Sequence, residues 1–84
     1  MKKVQLRYFA SVRESMGRGG EERQTAAESL VALRDELIAL GEPYAQALGA
    51  GKAVRMALDQ VMADGDAPLR EGAEVAFFPP VTGG

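Results

Sequence analysis

Hydrophobic and polar residues alternate at the start of the chain, from Lys3 to Phe9. Val4, Leu6 and Tyr8 fall on one side of an extended segment and polar residues on the other, which predicts a half-buried β-strand. Phe9 is an aromatic residue on the polar side. We interpret it as a contact residue, because an exposed aromatic side chain on an otherwise polar face is typical of an interaction surface.

An amphipathic helix is predicted in the middle of the chain. Thr25 and Glu28 have the spacing of a capping box, in which the hydroxyl accepts a backbone N–H and the carboxylate reaches back, so we expect the helix to start there. Gly41 provides its end. The predicted buried stripe consists of leucines spaced by three or four residues, namely Leu30, Leu33, Leu37 and Leu40.

The remaining segments are short. The glycine-rich run Gly17–Gly20 predicts that the chain turns within residues 10–20, and Pro43 suits the first position of one extra helical turn. The run Gly49-Ala50-Gly51-Lys52 lacks the first glycine and the Ser or Thr of a Walker A loop, so we predict a turn there. Further strands are predicted at 21–24, 54–58, 61–63 and 74–78.

This order of elements predicts an α+β domain in which one main helix packs on one face of a sheet. The chain has 84 residues, which is enough for one small domain. We place the domain at residues 1–78 and a flexible C-terminal diglycine tail at residues 79–84.

Composition excludes several classes of chemistry. The chain has no Cys, His, Trp or Asn, so disulfides, thiolate or imidazole metal sites and Ser-His or Cys-His nucleophile pairs are excluded. A net charge of -2 with dispersed basic residues argues against nucleic acid as a partner. No apolar run is long enough to span a membrane, and the first residues do not resemble a signal sequence. We therefore expect no membrane association and a cytoplasmic location.

The last residues are Phe78-Pro79-Pro80-Val81-Thr82-Gly83-Gly84. Because proline has no N–H to donate to a sheet, the two prolines are expected to end strand pairing and direct the chain outward. At about 3.3 Å per extended residue, the tail reaches roughly 20 Å, far enough to enter another protein. It has no charged side chain, and the two glycines have no Cβ to obstruct passage through a narrow channel. We expect the Gly84 carboxylate to be the reactive group.

This ending is similar to that of the MoaD-type sulfur carriers, the small subunits of molybdopterin synthase in the ubiquitin-like group. The resemblance extends to Tyr8-Phe9-Ala10 with Arg13-Glu14, and to Pro68-Leu69 with Gly72-Ala73-Glu74-Val75-Ala76. Ala57-Leu58-Asp59 departs from the Ala-Val-Asn of many relatives. The resemblance implies a β-grasp, or ubiquitin-like, fold with a mixed sheet of four to five strands, whose first and last strands are parallel and adjacent at the centre.

Alternation along these two central strands predicts a partner-binding surface. Val4, Leu6, Tyr8, Val75 and Phe77 are expected to face the helix, and Phe9, Ala76 and Phe78 to face away from it. Arg13 and Met62 are expected beside the two exposed phenylalanines. The predicted partner-binding residues are Phe9, Arg13, Met62, Phe78, Pro79, Pro80, Val81 and Thr82. A loop that covers Phe9 and Phe78 is the alternative interpretation.

The resemblance also implies a chemistry for Gly84, with Gly83 beside it. An E1-like adenylating enzyme of the MoeB type would use Mg-ATP to join the Gly84 carboxylate to AMP, and a sulfur donor would displace the AMP. The thiocarboxylate would then give its sulfur to cyclic pyranopterin monophosphate in the large, MoaE-type subunit. The chain would be the small subunit of a heterotetrameric sulfurtransferase, with no self-contained catalytic site and no cofactor bound by the chain itself.

The sequence is also compatible with other functions. A ubiquitin-like modifier would join Gly84 to a lysine amine, and a sulfur carrier for thiamin, cysteine or tRNA thiolation would use the same chemistry with a different partner. A plain β-grasp binding module would have an inert, frayed end.

Overall fold

The computed structural model describes residues 1–49 and 53–80, and the described residues form a five-stranded mixed sheet. Its strands are β1 (Lys2–Tyr8), β2 (Gly20–Thr25), β3 (Arg55–Leu58), β4 (Val61–Met62) and β5 (Glu74–Phe78). They lie in the order β2-β1-β5-β3-β4. β1 and β5 are parallel, and the other neighbours are antiparallel. The predicted mixed sheet, with its first and last strands paired in parallel near the centre, is confirmed.

Within the described residues, three helices accompany the sheet, α1 (Ala10–Met16), α2 (Leu30–Ala39) and α3 (Tyr44–Leu48). Leu30, Leu33 and Leu37 of α2 are fully buried and belong to the same apolar core as β1 and β5. α3 is the predicted extra helical turn, but Pro43 is its N-cap and not its first residue. None of the helices in the described ranges is long and apolar enough to cross a membrane.

The core confirms the alternation read from the sequence. The side chains predicted to face the helix, Val4, Leu6, Tyr8, Val75 and Phe77, are at most 1% exposed. The rings of Tyr8 and Phe77 stack in the core with their centroids 6.1 Å apart. Because neighbouring residues on a strand point to opposite faces, the residues between them lie on the face that the helices leave open.

Helix α1 was not predicted from the sequence, which indicated only a turn within residues 10–20. Val12 and Met16 are four residues apart, so they share one face of the helix, and both are buried. Gly17 ends α1 in the left-handed conformation, with φ 77°, and its N–H donates to the carbonyl of Arg13. A seven-residue helix with two buried side chains depends on the core beneath it, because its intrinsic helix propensity alone could not stabilise it.

The predicted start of α2 was wrong. Ser29 is the N-cap, and its hydroxyl accepts the N–H of Ala32 at 3.2 Å. Thr25 instead ends β2 and is fully buried, where its hydroxyl donates to Glu36 at 2.7 Å and accepts from the N–H of Ala27 at 2.9 Å. The Thr25 hydroxyl, which the capping-box pattern predicted to cap the helix, therefore binds Glu36 instead.

The buried leucine stripe is also shorter than predicted. Leu40 is 49% exposed, whereas Leu30, Leu33 and Leu37 are fully buried. Leu40 follows the last residue of α2, at the point where the chain turns through Gly41 with φ 91°. The turn directs Leu40 away from the sheet.

Candidate functional site

The last residue of β5 lies on the open face of the sheet. This residue, Phe78, is half-buried and is the cross-strand neighbour of Arg55 in β3. Pairing stops there, and Pro79 and Pro80 follow outside the sheet, as the missing proline N–H predicted. The two prolines line a hollow of about 170 Å³ between α1, α3 and the start of β3.

Phe9 lies at the corresponding end of β1. Its N–H donates to the carbonyl of Phe77 at 3.1 Å, and its own carbonyl accepts the N–H groups of Val12 and Arg13 as α1 begins. Its side chain is 45% exposed. Phe9 thus continues the parallel β1–β5 pairing for one hydrogen bond and holds the start of α1, while its ring remains accessible to solvent.

Arg13 is the fourth residue of α1 and is exposed. It lines a groove together with Phe9, Arg7 and the β2 residue Gly20. Gly20 is the cross-strand neighbour of Arg7. A Cβ on Gly20 would lie 2.5 Å from the carbonyl oxygen of Leu6, so β2 can approach β1 this closely only with glycine at that position.

Met62 lies on β4, the outermost strand on the other side of the sheet, and is 57% exposed. Its cross-strand neighbour is Ala57, which in turn lies opposite Ala76. Ala76 is two residues before Phe78 on β5, so Met62 and Phe78 share the open face. We call the exposed residues Phe9 and Met62, together with the half-buried Phe78, the tail-side patch.

The fold places Phe9, Arg13 and Phe78 near the point where the chain leaves the sheet, and puts Met62 on the same open face. Phe9 and Arg13 share one groove, whereas Pro79 and Pro80 line a separate hollow between α1 and α3. Val81, Thr82, Gly83 and Gly84 lie outside the described residues, so their predicted roles remain predictions. The boundary between a domain at 1–78 and a tail at 79–84 also remains a prediction.

Two arginines of this face were not singled out from the sequence. Arg7 and Arg55 are both exposed, and the strand register places them on either side of β5. The alternation of β1 already placed Arg7 on the same side as Phe9. The proximity of Arg55 to Phe78 could not be found in this way, because it depends on the antiparallel register between β3 and β5.

A polar network lies beneath the groove. The carboxylate oxygen Oε2 of Glu21 accepts the hydroxyl groups of Tyr8 and Tyr44 at 2.7 and 2.8 Å, and Oε1 faces Arg18 at 3.4 Å. Burial, followed by the hydrogen bond to the Glu21 carboxylate, raises the pKa of both tyrosines above the ordinary value. Both phenols are therefore neutral donors at neutral pH, and the network ties β1, β2 and α3 together.

Comparison with known proteins decides the family. Residues 6–84 match the ThiS family. The chain belongs to the ThiS family. It is 41% identical to the molybdopterin synthase sulfur carrier subunit of Escherichia coli (strain K12) over 81 residues, which cover 96% of this chain and 99% of that protein. Its identity to the Haemophilus influenzae protein of the same name is 35% over 77 residues, covering 92% and 94% of the two chains.

Among solved structures, this ThiS-family fold is similar to small archaeal modifier protein 1 of Haloferax volcanii. The TM-score is 0.77, the sequence identity is 18%, and the match covers 96% of this chain and all of the other. At this identity the likeness establishes the β-grasp fold and carries no conclusion about function.

Proposed function

We propose that this protein is the sulfur-carrier subunit of a molybdopterin synthase and that Gly84 carries the sulfur as a thiocarboxylate. The observation that carries the proposal is the 41% identity to a molybdopterin synthase sulfur carrier subunit across 96% of the chain. The family match continues through Gly84, so the diglycine belongs to the shared region and is not an addition to it.

Activation of Gly84 is the first step. A carboxylate resists attack by a nucleophile, because it is negatively charged and oxide is a poor leaving group. An E1-like adenylating enzyme of the MoeB type forms a bond between a Gly84 carboxylate oxygen and the α-phosphorus of Mg-ATP, and pyrophosphate leaves. The resulting acyl-adenylate has AMP as a good leaving group. Because this step consumes ATP, the proposal places the protein in the cytoplasm.

Sulfur transfer follows. Sulfide from a sulfur donor attacks the Gly84 carbonyl carbon, and a carbon–sulfur bond forms as the bond to AMP breaks. Loss of the proton leaves an anionic, strongly nucleophilic thiocarboxylate. In the large, MoaE-type subunit this sulfur forms a carbon–sulfur bond with cyclic pyranopterin monophosphate, in place of a carbon–oxygen bond of the substrate that breaks. Water then cleaves the acyl–sulfur bond and regenerates the Gly84 carboxylate. Two such deliveries supply the two sulfur atoms of the dithiolene.

The chain supplies the acyl group and its placement, and the partners supply the rest of the catalytic machinery. Residues 79–84 contain no charged side chain, so cationic groups that stabilise the developing negative charge must come from the partner. The proposal includes the tail-side patch and the two prolines in the surface that contacts the large subunit. In this proposal the working sulfurtransferase is a heterotetramer of small and large subunits.

Intact-mass spectrometry tests the chemistry directly. The protein is incubated with its adenylating enzyme, Mg-ATP and sulfide, and we expect a mass increase that corresponds to one oxygen exchanged for sulfur. Fragmentation should place the change at Gly84. A variant that ends at Gly83 is the matched control, because it retains the described domain and one terminal glycine.

The same experiment separates the alternatives. Conjugates to lysine side chains instead of a thiocarboxylate would support a ubiquitin-like modifier. A thiocarboxylate that forms but yields no molybdopterin with the large subunit and cyclic pyranopterin monophosphate would indicate a carrier for another pathway. A Gly83-terminated variant that still supported molybdopterin synthesis at the full rate would contradict the proposed role of Gly84.

A further inference from the structure

The basic side chains of the described residues fall into two groups. Five of them contact oxygen atoms within the domain: Lys2, Lys3, Arg18, Arg23 and Arg34. Arg7, Arg13, Arg55 and Arg70 have no ion pair or hydrogen bond from the side chain to a described oxygen atom. Acidic residues outnumber basic residues in the chain by 12 to 10. The chain therefore has enough carboxylates to pair with these four arginines, and a shortage of carboxylates does not explain why they are unpaired.

Arg55 is one of the unpaired charges and lies directly beside the tail-side patch. It is the cross-strand neighbour of Phe78, and paired Cβ atoms in an antiparallel sheet are about 5 Å apart. Arg55 is exposed. Its guanidinium group is therefore available at the edge of the apolar residue that ends β5.

Arg7 and Arg13 are the unpaired charges on the other side of the patch, in the groove that contains Phe9. The groove also contains Glu21 and Glu22. Glu21 already binds two tyrosine hydroxyls and Arg18, and Glu22 is paired with Lys3 at 3.2 Å. The two carboxylates that line this groove are thus bound to other groups.

The half of the open face that is farther from Phe78 is rich in carboxylates. Gln5 lies between Glu22 on β2 and Glu74 on β5. Asp59 is held at the same end of β5 by hydrogen bonds of 2.8 and 2.9 Å with the backbone of Glu74. Lys3 and Arg70 also lie at that end, but the carboxylates there outnumber them, namely Glu22, Asp59, Glu71 and Glu74. The open face is therefore more basic where the chain leaves the sheet and more acidic at the other end.

We propose that the tail-side patch docks into an apolar site on a protein partner whose rim carries carboxylates, and that Arg7, Arg13 and Arg55 steer and orient this docking. This inference rests on the proposed function and specifies the partner surface. Charge complementarity is the basis for choosing an acidic protein rim. A partner of that charge would attract the end that carries the tail more strongly than the end where carboxylates are in excess.

Long-range attraction of this kind acts mainly on the association rate and weakens with salt. The rate is measured by stopped flow with the full-length chain and the purified large subunit from the same organism. Measurements at about 0.01 M and about 1 M salt compare Debye lengths of about 30 Å and about 3 Å. We expect Arg7→Glu and Arg55→Glu each to slow association about tenfold at low salt and to have little effect at high salt.

Arg70→Glu is the matched control. Arg70 is also exposed and unpaired, but it lies in the turn before β5, at the opposite end of that strand from Phe78. All three substitutions change the net charge by the same amount, so an effect of net charge alone would be equal in the three variants. Arg55→Lys keeps the charge and should restore most of the rate. Circular dichroism checks that each variant is folded, and the salt dependence of the wild-type rate tests steering without any substitution.

The outcomes distinguish this inference from the proposed function. If the wild type binds the large subunit but its rate is independent of salt, or if Arg70→Glu slows association as much as Arg55→Glu, the inference is wrong and the proposed function stands. If the wild type does not bind the large subunit, both are wrong. Binding of a labelled single-stranded oligonucleotide that is lost in Arg7→Glu and Arg55→Glu would assign the arginines to nucleic acid and overturn the inference.

Discussion

Two neighbouring phenylalanines at the end of β5 should separate folding from partner binding. Phe77 is fully buried and stacks on Tyr8. Phe78 points to the opposite face, is half-buried, and belongs to the tail-side patch. We predict that Phe77→Ala chiefly destabilises the domain, whereas Phe78→Ala chiefly weakens binding to the large subunit.

The expected magnitudes follow from burial. A fully buried Phe→Ala change costs about 3–5 kcal/mol. A domain of 84 residues has an unfolding free energy of roughly 4–13 kcal/mol. Phe77→Ala would therefore remove a large part of the total. Full burial of a Phe side chain is worth about 1.5–3 kcal/mol, so Phe78→Ala should cost about 1 kcal/mol for a half-buried ring.

Urea unfolding and calorimetric binding measure the two effects on the same samples. With a slope of about 1 kcal/mol per molar urea, the midpoint should fall by about 1 M for Phe78→Ala and by about 3 M or more for Phe77→Ala. A central interface residue is worth about 2 kcal/mol or more, so Phe78→Ala should weaken binding about 30-fold. Equal destabilisation by the two substitutions, with no selective loss of binding, would show that Phe78 is a core residue.

Three further predictions concern the interior and the turns. Because the pKa values of Tyr8 and Tyr44 are raised, tyrosinate absorbance at pH 10 should stay well below half of its final value, and stability should decrease as the pH rises above about 10. Gly20→Ala should lower the free energy of unfolding by about 1–3 kcal/mol, because its Cβ would meet a backbone carbonyl oxygen of β1. Gln60→Gly should raise it by about 1 kcal/mol, because Gln60 has φ 70° and left-handed geometry costs an L-residue about 1–2 kcal/mol.

The tyrosine prediction has a result that would contradict it, and each of the two substitutions has a control at the neighbouring residue. The Glu21 network stabilises the neutral phenols only in the folded state. Tyrosines that are half-ionised at pH 10 in folded protein would therefore contradict this network. Gly19→Ala should be tolerated better than Gly20→Ala, because its Cβ would meet only the Arg13 side chain at 3.5 Å. Asp59→Gly should gain less than Gln60→Gly, because it also removes the hydrogen bond from the Asp59 carboxylate to the N–H of Glu74. Urea unfolding that ranked either pair in the reverse order would refute the steric reasoning.

The sequence alone predicted which side of the central strands is buried and where the last strand ends. Strand alternation at Val4, Leu6 and Tyr8 depends only on the two-residue period of extended backbone, so it identified the buried face without any tertiary information. The end of β5 at Phe78 was equally predictable, because Pro79 has no N–H to donate. The family resemblance of the diglycine ending was also readable from sequence, since it depends on residue identity and position.

Tertiary structure decided the features that depend on competition between contacts. Thr25 had the better local capping pattern, but its hydroxyl binds Glu36 across the domain, and the helix begins after Ser29 instead. α1 forms because the core accepts Val12 and Met16, a stabilisation that a seven-residue segment cannot supply by itself. Likewise, the position of Arg55 beside Phe78 follows from strand register. Register is set by the whole sheet, so no local pattern in the sequence could have placed that charge next to Phe78.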